Sequence, residues 1–255
     1  MDTQPELFAR HYAEAGLVEK SVAYWSKAGH RSAARSAMVE AAAKFQMGIE
    51  QLALLLDTSE RKRQELELRS SLGAAFQAIK GMGAPETGHA YARARQLWEE
   101  LGSPSEFLQI PYGQSLHHAF RGEFGVAHRL DKDLLHLSRQ RHDPAGLVLG
   151  CLSSGVNLLG DLVSSQAHLE EVLALYDPIS HRRLVGQAGL QPSVISQAFL
   201  GNVMFCLGYP TQALARSNAA RSNCRGSEDR SCAVSRCELV DRREGAFARR
   251  RQRSP

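Results

Sequence analysis

The chain has 255 residues, 43% hydrophobic and 23% charged, a balance ordinary for a folded water-facing protein. No apolar run approaches the roughly 18 residues that span a bilayer, and the N-terminus, MDTQPELFAR, lacks the basic and apolar regions of a secretory signal. The net charge of +4 is local: Arg221–Pro255 carries 10 arginines against 5 acidic residues, while the rest holds 21 basic and 22 acidic, so the body offers no large electrostatic footprint for nucleic acid.

Leu7–Ala28 reads as two short helices about a turn at Gly16. Phe8, Tyr12 and Ala15 share one face before it, and Val18, Val22, Trp25 and Ala28 share one after it. Such a pair cannot bury its apolar face alone, which directs attention to repeats. A second-helix template of a small residue, then packing residues at i+4 and i+7, recurs down the chain. Its copies are Ser21/Trp25/Ala28, Ala41/Phe45/Gly48, Ala94/Trp98/Leu101, Ala127/Asp131/Leu134, Ser165/Leu169/Val172 and Ala213/Ser217/Ala220. Gly16, Gly122, Gly160 and Gly208 each precede a small residue by five and are expected as left-handed turns. Leu72-Gly73 with Phe76, and Leu200-Gly201 with Met204, match the L-G-x2-Y element of tetratricopeptide repeats.

The close approach of the first two copies predicts a compressed helix near His30–Ala37. A long helix is expected over Ser59–Lys80, capped by Asp57-Thr58-Ser59 and ended by Gly81–Pro85. Pro85 suits a first turn. Gly102-Ser103-Pro104, Asp143-Pro144 and Asp177-Pro178 mark further boundaries. The expected fold is all-α, a right-handed α-solenoid of antiparallel helix pairs with about twelve helices, residues 1–221, whose concave face docks a protein or peptide partner. Residues 222–255 lack a helical stripe and are expected as a basic tail, either disordered or an out-of-frame end. Five cysteines, odd in number and irregularly spaced, fit a reducing compartment, and the cytoplasm is the expected location.

Two segments carry a more specific signal: PELFARHYAEAGLVEKSVAYWSKAGHRSAARSAMVEAAAKF, residues 5–45, and AHLEEVLALYDPISHRRLVGQAGLQPSV, residues 167–194, continuing through CLGYPTQALARS to Ser217. Together they resemble the C-terminal tetratricopeptide region of bacterial signalling ATPases linked to adenylate/guanylate cyclase domains, over residues 5–220. The resemblance implies a regulatory or scaffold arm with a protein or peptide partner. It transfers no activity, because the chain begins in the repeats, without the family's cyclase and ATPase domains. The stretch Gly155–Leu162 is about two residues shorter than the family's. A piece or remnant of a larger product is the matching expectation.

No catalytic or cofactor motif stands out. There is no Gly-Lys pair for a phosphate loop. His117-His118 point about 100° apart on a helix, and His128, His136 and His142 lack the spacing of metal ligands. Cys232-x4-Cys237 lacks a second knuckle, and Cys151 and Cys206 read as small core residues. Gly113-Gln114-Ser115-Leu116-His117 misses the second glycine of a nucleophile elbow. Glu99-Glu100 and Glu170-Glu171 splay apart as solvated faces. Trp25, Trp98 and Tyr91 fit packing knobs better than a ligand cage. The expectation is therefore a non-enzyme with no cofactor, no metal and no membrane partner. Nucleic acid would engage only Arg249-Arg250-Arg251 and Arg253. The candidate partner loop is Asp177–Pro192, through His181, Arg182 and Arg183.

Overall fold

The computed structural model describes residues 4–156, 161–181, 184 and 191–226. Among these residues the fold is all-helical, with eleven α-helices, one 3-10 turn and no strand. The helices are α1 Pro5–Glu14, α2 Val18–Ala34, α3 Met38–Leu52, α4 Ser59–Lys80, α5 Pro85–Glu100, α6 Gln109–Phe120 and α7 Phe124–Gln140, then α8 Pro144–Val156, α9 Leu162–Leu175, α10 Pro192–Cys206 and α11 Pro210–Gly226. The chain divides into two compact units, Met1–Leu130 and Asp131–Pro255. The expected turn at Gly160 and residues 227–255 of the expected tail lie outside the described residues, while residues 222–226 of that tail continue α11.

Consecutive helices pair antiparallel. In the first unit the Ser21 hydroxyl donates to the Ala9 carbonyl at 2.8 Å, while Tyr24 lies beside both Phe8 and Tyr12. These contacts seal α1 against α2 across the turn at Gly16. In the second unit the Asn223 amide of α11 donates to the Gln197 side chain of α10, and the Ser217 hydroxyl sits against Gly201. The small-bulky template is the buried stripe: Ser21, Ala41, Ala94 and Ser165 are buried, as are Trp25, Phe45, Trp98 and Leu169. Burying a large apolar side chain contributes about 1.5–3 kcal/mol. One continuous core joins Val22 of α2, Ala41, Phe45 and Leu52 of α3, and Leu68 and Leu72 of α4.

The boundaries follow local chemistry. Thr58 caps α4 by accepting from the Arg61 amide at 3.1 Å. Pro85 opens α5 where its missing amide costs nothing. Asp143 accepts from the Ala145 and Gly146 amides at 3.0 and 3.1 Å, starting α8. Gly16, Gly122 and Gly208 take φ of 72°, 78° and 90°, the left-handed turns their spacing predicts.

Three expectations are corrected. No compressed helix forms at His30–Ala37: α2 runs unbroken to Ala34, and the turn comes at Ser36, φ 60°. Gly29 lies within α2, and Phe45 packs into the space a side chain there would need. Phe8 is not the buried face of α1. That helix buries Pro5 and Ala9, where the Ser21 bond draws α2 close, and leaves Phe8 41% exposed. Cys206 is exposed, not core, because it is the last residue of α10.

Candidate functional site

The expected partner loop is described only in part. Asp177 organises its start: the amide and hydroxyl of Ser180 both donate to the Asp177 carboxylate, at 2.9 and 2.6 Å. These bonds hold the Asp177 carboxyl below the usual aspartate range. The Asp177 amide in turn donates to His181 Nδ1 at 3.0 Å. The imidazole stacks on Tyr176, centroids 5.9 Å apart, and is only 8% exposed. His181 thus closes the turn that follows α9. Arg182 and Arg183 lie outside the described residues.

A second surface lies on the first helix pair. Phe8 and Tyr12 of α1 each sit 5.4 Å, centroid to centroid, from Tyr24 of α2. The Lys20 and Lys27 ammonium groups stand 5.5 Å from the Tyr12 and Tyr24 ring centres. Leu7 and Leu17 are also exposed in this helix pair. The rings therefore present apolar edges to solvent with two cations over them. Tyr24 drew no notice in sequence because Ser21, Trp25 and Ala28 claim the inward stripe. Its place one residue before Trp25, about 100° round the helix, was the available signal.

A third cluster lies in the second unit. Cys151 of α8 and His168 and Glu171 of α9 bring a sulfur, an imidazole nitrogen and a carboxylate oxygen within 4.8 Å of one another. His168 Nδ1 is 3.9 Å from Glu171. Cys151 is fully buried, as its apolar setting predicts. Burial, with the Glu171 carboxylate beside it, pushes the thiol up to about 12.

The other polar residues singled out in sequence take packing or paired roles. Tyr91 and Trp98 are buried, the Tyr91 hydroxyl donating to Gln77 and the Trp98 indole to the Pro104 carbonyl, both at 2.9 Å. Trp25 packs toward α3 beside Gly48. His117 Nδ1 lies 2.9 Å from the Met82 carbonyl, and His118 Nδ1 lies 2.6 Å from Glu123. Ser115 donates to the Ala127 carbonyl at 3.4 Å. Glu99 pairs with Arg95, and Glu100 with Lys62. On α4, Glu65 gathers Arg61, Arg69 and, from α5, Arg93, at 3.2–3.3 Å. Burial works to raise that carboxyl, but hydrogen bonds and charges from Arg93 and Arg69 outweigh it and hold it below the usual glutamate value.

No described helix is long and apolar enough to cross a membrane. No protein-family model matches the chain, and no curated protein matches it. Among solved structures it is similar to the apo form of RapI, a helical repeat protein, with a TM-score of 0.60 at 12% identity. The match covers 88% of this chain and 61% of that one, so the chain spans less than two thirds of its length. The likeness places the chain among helical repeat folds.

Proposed function

We propose that the chain is a non-catalytic protein-interaction module, corresponding to the tetratricopeptide arm of a cyclase-linked signalling ATPase. The observation that carries the interaction reading is the strip of Phe8, Tyr12 and Tyr24 with Lys20 and Lys27 over its rings. Half-exposed aromatic rings offer large contact area at small entropic cost. The flanking ammonium groups select a peptide segment that carries both apolar and acidic side chains. The cyclase link rests on the resemblance of residues 5–45 and 167–217.

Peptide-display selection on the purified chain, followed by calorimetry with the enriched peptide, tests the interaction reading. Replacing Phe8 and Tyr24 together by Ser should weaken binding at least about tenfold, the effect of losing one modest aromatic anchor. Equal affinity in the double variant refutes the strip as the docking surface. Turnover of ATP or GTP by the chain alone refutes the non-catalytic reading. For the cyclase link, the chain should alter nucleotide turnover by a cyclase-linked ATPase stripped of its own repeat region. No change at saturating chain removes that link.

A further inference from the structure

We propose that Cys151, His168 and Glu171 form a binding site for a divalent transition-metal ion of the zinc class, clasping α8 to α9. Each residue offers one ligand atom, and the three lie within 4.8 Å of one another. A tetrahedral zinc ion with bonds of about 2.0–2.3 Å holds its ligand atoms roughly 3.3–3.8 Å apart. Closure therefore needs about 1 Å of side-chain movement by that measure.

The backbone supports this placement. His168 and Glu171 are three residues apart on α9 and so share a face. Gly155, one turn beyond Cys151 on α8, lets α9 approach closely: a Cβ there would fall 2.8 Å from Leu169 Cδ2. Small side chains at the crossing bring the Cys151 sulfur to the α9 pair.

The donor set selects the ion. Thiolate with imidazole suits zinc and disfavours magnesium and calcium, which prefer oxygen. His168 Nδ1 is shielded from water and has no hydrogen-bond partner. An unsatisfied buried nitrogen costs free energy that a metal bond would recover. The His168 and Glu171 side chains are 28% and 40% exposed, so the α9 side of the site is open to an ion. Binding releases the Cys151 proton to solvent and forms the metal–sulfur bond. The resulting thiolate and the Glu171 carboxylate balance the ion's two charges. Arg139, whose charge also reaches Cys151, opposes the ion and moderates its affinity.

A Cys-His-Glu nucleophile is the competing use of these residues. Activation needs an accessible thiol with a lowered pKa. Cys151 is buried and its thiol is pushed up, the opposite on both counts.

The test is a cobalt(II) titration of the full chain with Cys206, Cys224, Cys232 and Cys237 changed to Ser, leaving Cys151 as its one thiol. One equivalent should bind, with a sulfur-to-cobalt charge-transfer band and visible bands of tetrahedral strength. Cys151→Ala should abolish the band. His168→Ala and Glu171→Gln, both at partly exposed positions that leave the core intact, should each weaken binding by at least about tenfold. Absence of the band at saturating cobalt overturns the site, as does unchanged affinity in both α9 variants. Should Cys151→Ala fail to fold, those two variants decide the matter alone. No peptide partner enters the measurement, so its outcome is separate from that of the docking strip.

Discussion

Gly29→Ala exposes the packing logic of the first unit to a direct test. In a free helix the change would stabilise by about 1 kcal/mol, because glycine is the poorer helix former. Here an added Cβ would fall 2.5 Å from Phe45 Cδ1, well inside contact distance. The ring has little room to retreat: Phe45 is 1% exposed, packs with Ile49 and Leu52, and meets the His30 ring edge-on at 5.1 Å. Overpacking of this kind costs about 1–3 kcal/mol, and the immobile ring puts this case near the top. The net expectation is a loss of about 1–2 kcal/mol. Both tryptophans, Trp25 and Trp98, lie in the first unit, so their fluorescence during urea unfolding reports on that unit. With Trp98→Phe as the common background, Trp25 reports locally. The decisive comparison adds Phe45→Leu, which alone should cost about 1–2 kcal/mol. Together the two changes should cost less than their sum by at least about 1 kcal/mol, since the new methyl occupies space the ring gave up. A Gly29→Ala protein as stable as its parent, or strict additivity, would refute the reasoning.

Further outcomes follow from individual contacts. Glu65→Gln should destabilise by about 1–3 kcal/mol, since it leaves three arginines without their shared carboxylate. Because the folded carboxyl is held below the usual 4.5, its contribution is present above the unfolded pKa and disappears as pH falls through the lower folded value. Urea midpoints between pH 6 and pH 3 should therefore fall less steeply for Glu65→Gln, and parallel curves would contradict the assignment. Ser36→Gly should raise stability by about 0.5–1 kcal/mol, because Ser36 holds a φ of 60° that costs a side-chain-bearing residue; an unchanged or lower midpoint would count against it. With its thiol pushed up to about 12 and fully buried, Cys151 should resist iodoacetamide at pH 8 in the folded chain while the exposed Cys206 reacts. Peptide mapping by mass spectrometry reads the difference, and equal labelling would contradict the buried placement.

Much of the fold was legible because it rests on short-range chemistry. The limits of α4 follow from the Thr58 cap and from Gly81, and the inward stripes follow from three residues at helical spacing. Turns were legible where glycine makes them. Ser36, Ser103 and His142 also take left-handed φ, and nothing in a serine or histidine announces it. The compressed helix near His30–Ala37 followed from the short spacing of the first two copies, and the structure instead fits that spacing by running α2 to Ala34 and turning at Ser36. The candidate sites were hidden for a different reason. Cys151 meets His168 and Glu171 only once α8 and α9 pack, so no local motif records the cluster. The aromatic strip likewise joins α1 to α2 across their shared edge.

The arginines around Glu65 bear on how a polyanion would see this chain. Arg61, Lys62 and Arg63 set three cations in a row on α4. A nucleic acid gains its affinity by shedding bound cations as free Lys and Arg replace them. In this chain Arg61, Arg69 and Arg93 converge on Glu65, Lys62 meets Glu100, and Arg63 meets Glu106. The protein has supplied its own counterions, fixed in the chain and unable to diffuse away. A phosphate backbone would have to displace carboxylates before it could release any of its own cations, so a count of basic residues along α4 overstates the positive field that surface projects.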